Sequence, residues 1–124
     1  SADTAIVTYG RLFFEAAKAV KELPKHNINA KVLKLNRIKP VDPDALKEAM
    51  NAKHIFFYEE GVRSGGIGEK FAAELLQHGY KGCYDITAVE DCFVKQAKVP
   101  ELIKQYKFDS ESMVNKIVEK MTEV

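Results

Sequence analysis

The residue types best suited to chemistry lie in one glycine-rich segment, which runs from Glu59 to Gly68 with the sequence EEGVRSGGIG. It follows a predicted strand and precedes a predicted helix, where phosphate-binding loops are often found. The known phosphate motifs are nevertheless incomplete. A dinucleotide fingerprint that starts at Gly66 has Phe71 at its third glycine position, and a P-loop over 61–66 has Ile67 where lysine is required. The segment is therefore not predicted to be a nucleotide-binding loop of either kind.

Two interpretations of this segment stay open. Its glycines would allow a tight turn and close packing of the following helix on the sheet. Alternatively, the helix N-terminus would hold an anion, with Arg63 and Ser64 as helpers. The candidate residues for an interface or an anion-binding loop are Arg11, Glu59, Glu60, Arg63, Ser64, Gly65, Gly66 and Gly68.

The two carboxylates that open the segment are not predicted to act as a catalytic pair. Glu59 and Glu60 are adjacent, and adjacent side chains on a strand point to opposite faces, so they cannot share one proton. They would either anchor a partner loop or basic group, or reach solvent at the strand end. Arg11 is predicted near a helix N-terminus, where its charge gains nothing from the helix dipole. It is therefore either an ordinary surface arginine or the partner of an outside carboxylate or phosphate.

Histidine and cysteine do not form a metal-binding pattern. His26, His54 and His78 have no His, Cys or carboxylate at a spacing that would place ligands on one face. Cys83 and Cys92 make neither a disulfide framework nor a metal knuckle, and without an export signal a reduced setting is expected. We expect two free thiols that are buried and structural.

Length and composition predict one soluble domain in the cytoplasm. The chain has 124 residues, of which 46% are hydrophobic, so it can fill a core, and we expect residues 3–124 to form a single domain. The 19 Lys and Arg residues nearly balance the 18 Asp and Glu residues, which leaves a net charge of +1. Binding to nucleic acid or to an anionic membrane therefore has little electrostatic support. The longest uncharged apolar stretch of interest, 55–58, is far too short to cross a bilayer.

The pattern of apolar residues predicts strands that alternate with helices. The predicted strands are 5–9, 29–36, 54–59 and 84–89, and the predicted helices are 11–23, 43–51, 69–78, a short one near 100–106 and a last one from 109. Asp42 and Pro43 mark the second helix start well, as a carboxylate N-cap before a proline at the first helical position. Helical spacing assigns Leu76 to the apolar face of the third helix and Met121 to that of the last.

This alternation predicts an α/β fold with three layers, α/β/α. Short connections between strands and helices imply right-handed crossovers and a parallel sheet with helices on both faces. The strand at 54–59 is expected mid-sheet, because its apolar run is unbroken, as in strands covered on both sides. The first strand begins almost at residue 1, which predicts that the chain is an excised piece of a longer protein.

Three segments of the chain resemble the C-terminal domain of transketolase-like thiamine diphosphate enzymes. They are AIVTYG at 5–10, NRIKPVD at 36–42 and YEEGVRSGGIG at 58–68. The tail, with DCFVKQ at 91–96, FD at 108–109 and a final helix, is similar to the end of 1-deoxy-D-xylulose-5-phosphate synthases. The resemblance covers nearly the whole chain.

The resemblance implies a mainly parallel sheet whose four strands here follow the order 2-1-3-4. The family's antiparallel edge strand is expected to be missing from this chain. The point at which the strand order reverses would then fall between the first and third strands, beside Gly10, Arg11 and the segment 59–68.

The resemblance also implies an assembly role for this domain rather than turnover. In the parent enzyme, thiamine diphosphate with Mg²⁺ supplies the difficult chemistry, and the resemblance places the groups that bind them in other domains. We therefore expect no catalytic, cofactor-binding or metal-binding residue in this chain and no activity of the isolated domain. Its expected partners are the pyrimidine-binding domain of the same enzyme and the second subunit of a homodimer.

Two alternatives stay open. In the first alternative, the parent enzyme is a transketolase or the β subunit of a 2-oxo acid dehydrogenase instead of a 1-deoxy-D-xylulose-5-phosphate synthase. In the other alternative, the chain would be an independent flavodoxin-like module that holds a nucleotide or flavin where the strand order reverses.

Overall fold

Strands and helices alternate along the chain in the computed structural model, which describes residues 3–36, 42–62, 66–89 and 108–122. In chain order the described elements are β1 (Thr4–Thr8), α1 (Leu12–Glu22), a 3-10 helix (Leu23–His26), β2 (Ala30–Lys34), α2 (Pro43–Met50), β3 (His54–Val62), α3 (Ile67–Gln77), β4 (Cys83–Val89) and α4 (Ser110–Thr122). The helix predicted near 100–106 lies outside the described residues, as do Arg63, Ser64, Gly65 and Cys92.

The four described strands form one parallel sheet in the order β2-β1-β3-β4. β1 is paired on both sides, because Ile6 lies opposite Val32 of β2 and Phe56 of β3. β4 extends the sheet beyond β3, with Asp85 opposite Phe56. Parallel neighbours need long crossover connections, and α1, α2 and α3 lie in those connections. The predicted α/β fold and the strand order 2-1-3-4 are confirmed.

The core consists of two apolar layers, one on each face of the sheet. Side chains alternate along a strand, so Ile6 and Phe56 join one cluster with residues of α1 and α4, while Val7 and Phe57 join another with residues of α2 and α3. All four side chains are fully buried. β3 is therefore covered on both faces, as its unbroken apolar run predicts, and the three layers are α/β/α.

The N-terminus of α2 is built as its sequence predicts. The Asp42 carboxylate accepts hydrogen bonds from the backbone N–H groups of Asp44 and Ala45, at 3.0 and 3.3 Å. Pro43 follows in the first turn, where its missing N–H costs nothing. Asp42 also accepts the N–H of Asn36 at 3.3 Å, so one carboxylate joins the end of β2 to the start of α2.

The boundary between β3 and α3 differs from the prediction. β3 continues to Val62, so Gly61 lies in the strand rather than in a turn, and Val62 pairs with Val89 after a shift of register. An irregularity of this kind lets a strand continue past a local break in pairing. α3 starts at Ile67, so Gly68 lies in its first turn.

Three apolar or thiol side chains are more exposed than predicted. Leu76 is 71% exposed, because Phe71 and Leu75 already occupy the buried side of α3. Met121, in the last turn of α4, is 37% exposed. Cys83 is exposed as well, because it is the first residue of β4, which lies at the edge of the described sheet.

None of the described helices has the length and apolar character needed to cross a membrane.

Candidate functional site

The candidate site lies at the carboxyl edge of the sheet, where β1 and β3 end and α1 and α3 begin. At this edge the strand order reverses, which is the usual ligand position in open α/β sheets. Gly10 makes the turn from β1 to α1 with a φ of +66°, a conformation that favours glycine. Gly66 precedes α3 in an extended conformation and, as a glycine, supplies no side chain to cap the helix.

The missing cap of α3 is supplied by Glu59 of β3. One carboxylate oxygen, Oε1, accepts the N–H of Gly68 at 2.9 Å. The other, Oε2, accepts the N–H of Ile67 at 3.1 Å and the hydroxyl of Tyr9 at 3.1 Å. The side chain is almost fully buried, with 1% exposure. A buried carboxylate is costly unless it is hydrogen-bonded, and here two free N–H groups at the positive end of a helix offset that cost.

Gly68 brings α3 close enough for these bonds. A Cβ atom at Gly68 would lie 2.9 Å from Glu59 Oε1 and 3.0 Å from Phe57 Cδ1. The Gly68 carbonyl accepts the Tyr84 hydroxyl at 2.7 Å, which joins β4 to the same turn. At this position the glycine therefore serves the close packing of helix on sheet, which is the first of the two interpretations of the segment.

The tyrosines around Glu59 remain protonated donors. Burial raises the pKa of the Tyr9 phenol, and the charge of Glu59 and the hydrogen bond to it raise the pKa further. Burial also raises the pKa of Tyr84, with a smaller contribution from the charge of Glu59. Both phenols therefore keep their protons and their hydrogen bonds over the physiological pH range.

Glu60 and Arg11 form a pair on the opposite face of β3. The Arg11 Nε–H donates to Glu60 Oε1 and Oε2 at 2.8 and 2.7 Å, and Nη2 also contacts Oε2. The hydrogen bond to Glu60 raises the pKa of the Arg11 guanidinium. The carboxylate partner suggested for Arg11 thus comes from the same chain. Because the side chain of Arg11 is half exposed, the pair contributes little to stability.

The structure brings five of the eight candidate residues to this edge and separates them into two groups. Glu59, Gly66 and Gly68 lie at the start of α3, and Arg11 and Glu60 lie at the start of α1. Tyr9, which donates to Glu59, is absent from the predicted set. Its position at the end of a buried strand, with a polar hydroxyl on an apolar ring, is the only signal in the sequence that points to it.

Among the described residues at this edge, the charged side chains already pair with one another or with backbone groups. Both oxygens of Glu59 already accept hydrogen bonds, and two of the N–H groups that could hold a phosphate, those of Ile67 and Gly68, are used by that carboxylate. Within the described parts of the chain, no group of three His, Cys, Asp or Glu side chains could hold a metal ion. His54 and Asp85 do form a hydrogen-bonded pair at 2.9 Å, at the opposite edge of the sheet.

Comparison with known proteins connects this fold to one family. The model of the family "Transketolase, C-terminal domain" matches residues 1–113. A putative transketolase C-terminal section from Methanocaldococcus jannaschii is 28% identical over 96% of this chain and 37% of its own length. The 1-deoxy-D-xylulose-5-phosphate synthase of Clostridium beijerinckii is 32% identical over 94% of this chain but only 19% of its own length. The chain thus spans a minor part of these relatives.

Solved structures agree with the sequence comparison. A split gene transketolase, determined as an inactive β4 tetramer, superposes on this chain with a TM-score of 0.78 and is 28% identical in sequence. The match covers 96% of this chain and 38% of the chain of that structure. The transketolase of Campylobacter jejuni has the same fold, with a TM-score of 0.67 at 14% identity over 95% of this chain and 17% of its own. The family model, the relatives and the strand order lead to one conclusion: this chain belongs to the transketolase C-terminal domain family.

Proposed function

We propose that this domain organises the assembly of a thiamine diphosphate-dependent transferase and does not itself catalyse the reaction. The parent we propose is a cytoplasmic 1-deoxy-D-xylulose-5-phosphate synthase, which joins pyruvate to glyceraldehyde 3-phosphate with loss of CO₂. Thiamine diphosphate and Mg²⁺ would be bound by other parts of the enzyme. Residues 3–124 would act as one domain that packs on the pyrimidine-binding domain and on the second subunit of a homodimer.

The observation that carries this proposal is the position of Glu59. In open α/β sheets a ligand usually binds at the edge where the strand order reverses, but here the chain's own carboxylate takes two backbone donors at that edge, the N–H groups of Ile67 and Gly68. A nucleotide-binding role of the flavodoxin type would need those donors for its phosphate. Their use within the chain favours a structural role. Synthases among the relatives, including that of Clostridium beijerinckii, favour the synthase as the parent.

A transketolase parent is the second candidate. It is favoured by the similarity to the transketolase C-terminal section of Methanocaldococcus jannaschii and to the split gene transketolase. In that case the parent enzyme would transfer a two-carbon unit between sugar phosphates and would release no CO₂.

Assays of the complete enzyme distinguish the two parents. We expect CO₂ release from pyruvate that depends on glyceraldehyde 3-phosphate, thiamine diphosphate and Mg²⁺. Transfer between sugar phosphates without CO₂ release would identify a transketolase instead. The isolated chain should be inactive in both assays, and calorimetry should detect no binding of thiamine diphosphate with Mg²⁺ near micromolar concentration. Saturable binding or turnover by the isolated chain would refute the assembly role.

A further inference from the structure

A cavity lies between β4 and α4, on the face of the sheet that α1 and α4 cover. It has a volume of about 360 Å³, near the lower limit for ligand pockets in proteins. Asn115 and Glu119 are exposed at its rim, whereas Thr87, Ser112 and Lys116 are half-buried and form its inner wall. The described residues that line the cavity all carry a polar group, which distinguishes it from the two apolar clusters of the core.

The hydroxyl of Tyr58 lies behind this inner wall. Tyr58 is opposite Thr87 in the register of β3 and β4, so both side chains point to the same face of the sheet. The Lys116 ammonium stands over the Tyr58 ring, 5.8 Å from its centroid, and donates to Thr87 Oγ1. Burial raises the pKa of the Tyr58 phenol, and the neighbouring Thr87 hydroxyl acts against that rise in pKa. The phenol thus meets the cavity wall at the contact of Thr87 with Lys116.

The Tyr58 hydroxyl is buried without a hydrogen-bond partner. The residue is 1% exposed, and no group in the described parts of the chain bonds to the hydroxyl oxygen within hydrogen-bonding geometry. Buried polar groups in folded proteins are nearly always hydrogen-bonded, because an unmet bond in the interior lowers stability. The cavity beside this hydroxyl is therefore the place where a partner from outside the chain can complete its bonding.

The other groups around the cavity offer both kinds of hydrogen bond. Thr87 Oγ1 accepts from Lys116, so the Thr87 hydroxyl still has its own proton to donate. Ser112 donates to Asp109 Oδ1 at 2.6 Å, which leaves the Ser112 oxygen as an acceptor. At the rim, the carboxylate of Glu119 only accepts. Because a hydroxyl group both donates and accepts, a ligand with several hydroxyl groups matches this set.

The charges near the cavity favour a neutral ligand over an anion. Of the described residues that line it, Lys116 is the only cation, and Glu119 is acidic. In addition to burial, the charges of Asp85 and Asp109 raise the pKa of Tyr58. An anion beside the Tyr58 hydroxyl would be repelled by the same carboxylates.

We propose that the cavity between β4 and α4 binds a small neutral molecule with several hydroxyl groups. One oxygen of the ligand accepts the Tyr58 hydroxyl, and a ligand hydroxyl at the rim donates to Glu119. Such a site does not depend on the proposed assembly role, and either of the two can fail without the other.

Tyr58→Phe removes only the unpartnered hydroxyl, and Tyr80→Phe is its matched control. Tyr80 packs against the apolar cluster on the opposite face of the sheet and donates to the Ala52 carbonyl at 2.9 Å. Without ligand, Tyr58→Phe should unfold at the same urea concentration as the wild type or at a higher one, because no hydrogen bond is lost. Tyr80→Phe should unfold at a lower concentration. An equal loss in both variants would show that the Tyr58 hydroxyl is already bonded and would overturn the proposal.

An NMR titration of the isotope-labelled chain with xylitol measures the binding. We expect saturable shifts of the amide signals of Thr87 and Lys116 with a Kd of about 1 mM. Tyr58→Phe should raise this Kd by about tenfold, as expected for the loss of one hydrogen bond, and Tyr80→Phe should leave it unchanged. Shifts that do not saturate, an unchanged Kd in Tyr58→Phe, or tighter binding of inorganic phosphate than of xylitol would each overturn the proposal.

Glu119→Ala keeps the proposal testable if Tyr58→Phe does not fold. Glu119 is exposed on α4, so its side chain can be removed without opening the core. The variant loses the acceptor at the rim, and we expect it to raise the Kd for xylitol by about fivefold or more. Binding equal to that of the wild type would place the ligand elsewhere and contradict the proposal.

Discussion

At the scale of single residues, the buried tyrosines of this domain hold their protons more tightly than free phenols do. Four tyrosines have a raised pKa because they are buried, and for Tyr80 burial with the nearby Cys83 raises the pKa to about 12. A phenol that must stay neutral in the folded state favours unfolding once the unfolded chain can lose the proton, so stability is retained below about pH 10 and lost above it.

We therefore predict a loss of stability in alkaline solution that depends on Tyr58 and Tyr84, the two most buried of these phenols. Between pH 10 and 11 each should reduce the free energy of unfolding by about 1 kcal/mol. Urea unfolding at a series of pH values measures this loss. Tyr84→Phe should remove about one phenol's share of the slope, and an unchanged slope would show that Tyr84 ionises freely in the folded domain.

At the scale of elements, helix ends are fixed partly by local sequence and partly by distant residues. Asp42 caps α2 from the adjacent position, whereas Glu59 caps α3 from eight residues away. The N-terminus of α4 combines the two modes. Asp109 accepts the N–H of Ser112 at 3.2 Å, and Glu15 of α1 accepts the N–H of Ser110 at 2.8 Å. The last helix is thereby joined to the first.

We predict that Asp42→Ala lowers the free energy of unfolding by about 1–2 kcal/mol, because the cap of α2 is lost. The effect should lie at the upper end of that range, since Asp42 also accepts the N–H of Asn36. Asp44→Ala, in the exposed first turn of the same helix, is the control and should cost less. Chemical denaturation compares the two variants, and equal losses would mean that the general acidity of the turn matters rather than the cap.

These contacts show which parts of the structure are accessible from the sequence. The Asp42–Pro43 start of α2 is predictable because capping acts over two or three residues. The order of the strands is implied by the resemblance, whereas the alternation of elements predicts only a parallel sheet with helices on both faces. The contact of Tyr9 with Glu59 joins residues 50 apart in the sequence, so it depends on β1 lying beside β3 and could not be read from spacing.

The sequence pattern also could not predict which apolar side chains near the helix ends are exposed. Leu76 fits the apolar spacing of α3 as well as Leu75 does, yet it is exposed while Leu75 is buried. Periodicity locates a stripe on a helix but does not say where the covering sheet ends. The same reason applies to Met121 in the last turn of α4.

At the scale of the whole molecule, the proposed assembly role makes a prediction about exposed apolar side chains. Phe14 is 66% exposed and lies one helical turn after Arg11, close to the carboxyl edge, whereas Leu76 is 71% exposed near the opposite end of α3. A large aromatic side chain that becomes covered on association often carries much of the binding energy.

We predict that Phe14→Ser weakens subunit association of the complete enzyme by about tenfold or more. Leu76→Ser, a change of similar size at a similarly exposed position, should leave the association constant nearly unchanged. Light scattering over a concentration series measures both variants. Stronger weakening by Leu76→Ser would place the interface at the other end of the sheet.

Because the carboxylate of Glu59 is part of the chain, the stability that it gives to the start of α3 does not depend on the concentration of any ligand. A domain that holds a dissociable ligand gains stability as the ligand concentration rises, by about 2.7 kcal/mol at one hundred times the Kd. Here the equivalent group is covalently part of the chain, so it cannot be diluted away or displaced by metabolites. The melting temperature of the isolated chain should therefore not rise with nucleotide concentration at constant ionic strength, as it would if nucleotide bound to the N–H groups that Glu59 occupies.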